Sequence, residues 1–156
     1  MWTDGACRGN PGPGGWAAVV VPAPSGRQGR DDHAAPIELT GGHPRTTNNR
    51  MEYTAALEGL RSLPTGSSVC VVTDSRLLLD SMTKWIQGWK RKGWRTAGGD
   101  PVKNQDLVMA LDAEIGRHRT VRWHWVRGHE TGTEHAHKAL NDRADRLAVA
   151  ASHAGS

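Results

Sequence analysis

The chain has 156 residues, 37% of them apolar, with seven Trp, one Tyr and no Phe; that is enough chain and apolar bulk for one folded domain and too much for a disordered segment. No apolar run approaches the roughly 20 residues that cross a bilayer, no basic-then-apolar leader opens the chain, and the two cysteines, Cys7 and Cys70, make no disulfide framework, so a cytoplasmic protein with no membrane partner is expected. The net charge of +4 is local: without Lys84, Lys90, Arg91, Lys92 and Arg95 the 20 basic residues fall to 15 against 16 acidic ones, and no acid occurs between Asp80 and Asp100, which points to a polyanionic partner.

Residues 2–4 read as a short strand ending on Asp4. The Gly- and Pro-rich run that follows, within TDGACRGNPGPGGW, reads as a tight connection that ordinary side chains would not tolerate. It lacks the Gly-Lys-Ser/Thr of a triphosphate-binding loop. Trp16 to Val21 reads as a second strand closed by Pro22, residues 22–36 as a loop or hairpin tip, and residues 37–42 as a third strand. In TTNNRMEYTAALEGLRSL, Tyr53, Ala56, Leu57 and Leu60 recur at helical spacing behind Thr and Asn caps, and Pro64 and Gly66 end the helix. The continuous apolar run Val69 to Val72 suits a central strand. Helices are expected over residues 76–88 and from Lys103 to Gly116, and the alternation in residues 121–126 (VRWHWV) marks a strand with one buried face. A last helix runs from Ala139 to Ala151, with Leu140, Ala144, Leu147, Ala148 and Ala151 on one stripe, and residues 152–156 read as a flexible tail. Three strands joined by turns, then strands alternating with helices, predict an α/β domain over residues 1–151: an antiparallel meander extended by parallel strands.

Four acids fall at changes of direction or on helix flanks. Asp4 ends the first strand, Glu52 lies in the first turn of the first helix, Asp74 ends the central strand, and Asp145 lies in the last helix. Each has an alternative. Asp74, with Ser75 beside it, could cap the following helix, and Glu52 could close a capping box with Asn49. Asp142 has Arg146 four residues on, the spacing of a surface ion pair; Asp145 has no such helical counter-ion and sits beside the apolar stripe, which suits a metal ligand but also an ordinary surface acid. Convergent carboxylates would repel strongly without a cation. Mg²⁺ takes hard oxygen ligands, and two such ions about 4 Å apart can activate a water and stabilise the leaving oxygen of a phosphodiester. His129, in a loop after the last strand, could move a proton there, although the chain has eight His and a solvated loop residue is the alternative. His135 and His137 read as solvated in a polar loop. KWIQGWKRKGWRT interleaves its cations with Trp85, Trp89 and Trp94, as a nucleic-acid surface does; a charged helix end with inward-packed Trp is the competing reading.

Taken in order, TDGACRGNPGPGGW, TTNNRMEYTAAL, VVTDS, KWIQGWKRKGW with PVKN behind it, WVRGH and NDRADRLA resemble bacterial type-1 ribonuclease H over nearly the whole chain. The resemblance implies a ribonuclease H-like fold, with a mixed five-stranded sheet, three antiparallel strands and then parallel ones, flanked by helices. It implies endonucleolytic cleavage of the RNA strand of RNA–DNA hybrids by two-metal hydrolysis, leaving 5′-phosphate and 3′-hydroxyl ends, in a monomer that uses Mg²⁺ with Mn²⁺ as a substitute. Asp4, Glu52, Asp74 and Asp145 would hold the metals, and His129 would assist proton transfer. Cys7, Asn10, Asn48 and Asn49 match positions against the minor groove, where 2′-hydroxyls distinguish RNA from DNA. Arg76 stands where relatives often carry Gln in that groove. Arg45, Thr47 and Asn104 match a pocket for a DNA phosphate. Residues 84–100 match a substrate-binding protrusion, with Trp85 near the DNA strand and Lys90, Arg91, Lys92 and Trp94 around it. The rival readings are a non-catalytic hybrid-binding module, disfavoured by the presence of all four acids, and another nuclease or strand-transfer enzyme of the same architecture, disfavoured by the basic protrusion.

Overall fold

The computed structural model describes residues 1–9, 11–21, 36–96, 98–126 and 135–154. Among them, five strands form one sheet in the order β3-β2-β1-β4-β5. β1 (Trp2–Cys7), β2 (Gly12–Val20) and β3 (Ile37–Thr46) are antiparallel neighbours, while β4 (Ser68–Thr73) runs parallel to β1 and β5 (Thr120–Trp125) parallel to β4. The meander and parallel additions expected from the element order are present. No helix among the described residues is long and apolar enough to cross a membrane.

Asp4 does not end its strand. β1 continues to Cys7, which pairs with Gly14, and Asp4 pairs with Ala17 in the strand interior. On its other side the Val72 N–H donates to the Met1 carbonyl at 2.7 Å. The glycines read as a tight connection are therefore mostly strand, and two of them are there for lack of a side chain rather than for backbone freedom. A Cβ on Gly5 would lie 2.6 Å from the Glu52 amide nitrogen, and one on Gly15 would lie 2.3 Å from the Ser152 nitrogen. Helices α1 (Asn48–Arg61) and α5 (His135–Ala154) thus rest directly on the strand backbone.

Other boundaries moved for local reasons. β3 extends past residue 42 to Thr46 through Pro44, which an edge strand tolerates because no partner needs its missing N–H. The cap of α1 is Thr47, whose Oγ1 accepts from the Arg50 N–H at 3.2 Å; Asn49 is already inside the helix, so the Asn49–Glu52 capping box does not form. The helix expected over 76–88 is α2 (Arg76–Asp80), a π-helical turn (Ser81–Trp85) and α3 (Ile86–Arg91), followed by α4 (Gln105–Arg117). α5 begins at His135, so His135 and His137 are helical rather than in a loop. It also continues through Ala154 with Ser152 buried, so the expected tail does not begin at residue 152.

The core on the α1 side is aliphatic: Leu57 and Leu60 of α1, Val71 of β4, Leu78 of α2, and Val108 and Leu111 of α4. Each such side chain contributes roughly 1.5–3 kcal/mol. Tyr53 is the one fully buried aromatic, bonded to Ser81 Oγ at 2.7 Å; all seven Trp lie at or near the surface. On the opposite side, Ala144 and Ala148 of α5 are fully buried, and such small side chains let the helix approach closely.

Gly15→Ala is expected to destabilise the fold by about 2–3 kcal/mol or more, because the clash is with backbone that cannot rotate away. Gly88→Ala in α3, where nothing lies within 4 Å of the added carbon, is expected to be neutral or to stabilise by up to about 1 kcal/mol. Urea unfolding of the two variants checks both signs.

Candidate active site

Parallel pairing of Thr3 with Thr73 sets Asp4 and Asp74, the next residue of each segment, side by side. Side chains alternate along β1, so Asp4 shares a face with Ala6, the partner of Gly15 under α5, while Gly5 lies under α1. α5 accordingly brings Asp145 to hydrogen-bond the Asp4 carboxyl. Because Gly5 leaves room, the first turn of α1 sits on β1 and Glu52 also reaches Asp4. One carboxylate oxygen each from Asp4, Glu52 and Asp74 lie within 4.8 Å of one another. Asp4 and Glu52 are each only 6% exposed.

Burial, then the charges of Glu52 and Asp74, then hydrogen bonds to Asp145 and Glu52 hold the Asp4 carboxyl far above the usual carboxylate range. Burial and the Asp74 charge also push Glu52 up, opposed by hydrogen bonds from Asp4, the Gly5 N–H and Ser75. The Gly5 N–H lies 2.9 Å from Asp4 Oδ1. Glu52 Oε1 is buried with no hydrogen-bond partner. An orphaned, buried anionic oxygen within a cluster of like charges is what a hard divalent cation satisfies, so the donor set fits a metal.

Asp74 is not the cap of α2. Ser75 fills that role, its Oγ accepting from the Leu78 N–H at 3.1 Å. The Trp125 indole donates to the Asp74 carbonyl at 3.2 Å, and the Arg76 guanidinium lies over the Trp125 ring, 5.3 Å from its centroid. Asn48 and Asn49 are exposed in the first turn of α1, one turn from Glu52. The Cys7 thiol faces the carbonyls of Gly9, Gly12 and Thr46 at 2.8–3.4 Å, tying the β1–β2 hairpin to the end of β3. Arg45 is exposed at that end, next to the capping Thr47. Asn10 and His129 lie outside the described residues. The chain leaves β5 beside Asp74, where the Val126 N–H donates to the Thr73 carbonyl at 2.9 Å.

The basic segment 84–95 is less uniformly cationic than its sequence. Lys90 pairs with Asp112 of α4 at 2.8 Å, and Lys84 lies 3.6 Å from Asp80. Arg91 and Lys92 are exposed. Trp85 is exposed, its ring 5.9 Å from that of Trp89, whereas Trp94 packs against the core. Sequence reasoning missed Trp125 and Arg50 as parts of this region, while the reading of Asp74-Ser75 as the cap of the following helix holds for Ser75. Trp125 was legible from the alternation that puts it one residue before the chain leaves β5. Arg50 carried no local signal, because its side-chain partners, Asn104 and Asp106, are more than 50 residues away.

A family model described as RNase H matches residues 1–153. The chain is 49% identical over 148 residues to ribonuclease H of Bordetella pertussis, an alignment covering 95% of this chain and 84% of that one. It is 49% identical over 148 residues to ribonuclease HI of Neisseria meningitidis, covering 95% and 90%. Among solved structures, LC9-RNase H1, a type 1 RNase H with the type 2 active-site motif, matches with a TM-score of 0.81 at 31% identity, over 99% of this chain and 72% of that one.

In metal-free protein, Asp4→Asn is expected to raise the unfolding free energy at pH 8 by on the order of 2 kcal/mol. The folded state retains a proton that the unfolded chain has released above its ordinary value of 3.8, so the parent loses stability as pH rises from about 4, and the variant does so less. Urea midpoints of the two should converge near pH 4 and diverge above it. Parallel curves would mean that no repulsion is stored at Asp4.

Proposed function

The chain belongs to the ribonuclease H family, and we propose that it cleaves the RNA strand of RNA–DNA hybrids at the site formed by Asp4, Glu52, Asp74 and Asp145. The observation that carries this assignment is the convergence of three carboxylates within 4.8 Å around a buried, unpartnered Glu52 oxygen. The family is metal-dependent. Mg²⁺, with Mn²⁺ as a substitute, is the proposed cofactor, held as two ions by the four acids. When bound there, the ions supply activation of a water and neutralisation of charge at the phosphate and the leaving oxygen.

The chain's own residues do the rest. The Gly5 N–H fixes the Asp4 carboxyl, and Ser75 helps to hold Glu52. The attacking water oxygen bonds to phosphorus as the P–O3′ bond breaks, and the proton the water sheds passes to solvent. His129 is the proposed donor of the proton that the departing O3′ takes up, leaving a 3′-hydroxyl and a 5′-phosphate; the exit of β5 beside Asp74, three residues before it, supports that role. Asn48, Asn49, Cys7 and Asn10 are proposed to line the minor groove, with Arg76 held by Trp125 as a further donor. Arg45, Thr47 and Asn104 are proposed to take a DNA phosphate. Trp85, Arg91 and Lys92 form the exposed part of the protrusion, and Lys90 and Trp94 support it. We read the chain as one catalytic domain acting as a cytoplasmic monomer.

The deciding experiment compares hybrid, duplex RNA and duplex DNA as substrates across an Mg²⁺ titration. Metal-dependent cleavage confined to the RNA strand of the hybrid is expected. Asp74→Asn should lower kcat by about 100-fold or more, the loss of several kcal/mol of transition-state stabilisation; parental activity in that variant would sink the assignment. His129→Ala should lower kcat by about 10²-fold and flatten the pH–rate profile, checked by single-turnover rates between pH 6 and 9.

A further inference from the structure

Arg50 does not touch the four acids in any contact given above, yet it touches two residues of the proposed phosphate pocket in two different ways. Its backbone N–H donates to Thr47 Oγ1 at 3.2 Å. Its guanidinium donates from Nη1 to Asn104 Oδ1 at 3.2 Å, and forks onto both oxygens of Asp106 at 3.1 and 2.8 Å. Asn104 itself is unusual. It precedes α4 in the left-handed region, at φ 59°, and makes no side-chain cap bond to that helix. Asn commonly caps a helix through its side-chain oxygen, and a non-glycine residue held at positive φ carries strain. Here the side chain is given to Arg50 instead.

The chemistry of the pair is one-directional. A guanidinium has only donors, so the Asn104 atom facing it must be the oxygen, and the amide NH₂ points the other way. Likewise, a hydroxyl whose oxygen accepts from the Arg50 N–H has its own hydrogen turned elsewhere. Thr and Asn can each offer a donor or an acceptor, and an anion needs donors only. We propose that Arg50, braced by Asp106, is a positioning residue whose guanidinium turns Asn104 into a donor toward one phosphate of the DNA strand, beside a Thr47 hydroxyl that the main chain of residue 50 engages as an acceptor whatever side chain stands there. The inference rests on the reading of Arg45, Thr47 and Asn104 as a phosphate pocket.

The test is steady-state cleavage of hybrids whose DNA strand is fully charged or carries a neutral methylphosphonate at each position in turn. In the parent, one position should raise KM by about tenfold when neutralised, the loss of a charge-assisted hydrogen bond. Arg50→Met should raise KM on the charged hybrid by a similar factor with kcat near parental, and should show little further penalty at that position. Asn104→Ala should behave alike, and the double variant should be no worse than either single one. An Arg50 variant that is merely destabilised would keep the full position-specific penalty, and that result overturns the proposal. If Asn104→Ala also keeps the full penalty, the pocket reading itself fails, which is a separate outcome. Should Arg50→Met not fold, Arg50→Lys answers the same question: a single ammonium lacks the planar fork that holds Asp106 and Asn104 together, so the penalty at that position should still shrink, and an unchanged penalty counts against the proposal.

Discussion

The structure depends on two helices reaching a sheet at places where the sheet has no side chains. Gly5 admits the first turn of α1 and Gly15 admits the last turns of α5. Without the first contact Glu52 would stand a side chain's width further from Asp4, and without the second Asp145 would lose its approach to the same carboxyl. The conformational entropy glycine loses in a strand is offset by the short distance it allows between elements from distant parts of the chain.

That closeness creates an electrostatic problem which the fold does not solve by itself. Asp4 and Glu52 are buried next to Asp74 without a cation among the described side chains, and both are driven toward protonation. Local capping keeps the acids out of other work. Thr47 caps α1, so Glu52 need not close a capping box, and Ser75 caps α2, so Asp74 is spared that duty. A cluster assembled under its own repulsion is poised to exchange protons for hard metal ions, and stability given up there is recovered on binding.

The basic segment shows a different balance. Read along the chain it is five cations with no acid, but folding brings Asp112 of α4 to Lys90, and Asp80 lies one turn from Lys84. Of the Trp residues there, Trp94 is spent on packing and Trp85 is left exposed. The segment is therefore anchored through part of its charge and aromatic surface, and it leaves the remainder exposed. Arg50 illustrates the same economy on the other side of the site, where one guanidinium joins α1 to the start of α4.

By itself the sequence determined the order and kind of the elements, because apolar periodicity and turn residues act over a few neighbours. The strand at Val69 to Val72, the stripe of Tyr53, Ala56, Leu57 and Leu60, and the alternation in VRWHWV all stand where periodicity put them. It also singled out four acids by motif order, and the fold brings carboxylate oxygens of three of them, Asp4, Glu52 and Asp74, within 4.8 Å of one another. Local reading failed where the reason for a residue lies across space. Gly5 and Gly15 looked like turn formers because the helices that need their missing side chains are tens of residues away. Which acids Glu52 meets, the partner of Lys90, and the side-chain contacts of Arg50 were decided only by tertiary packing. Register and helix docking set which groups meet, and neither is encoded within any one segment.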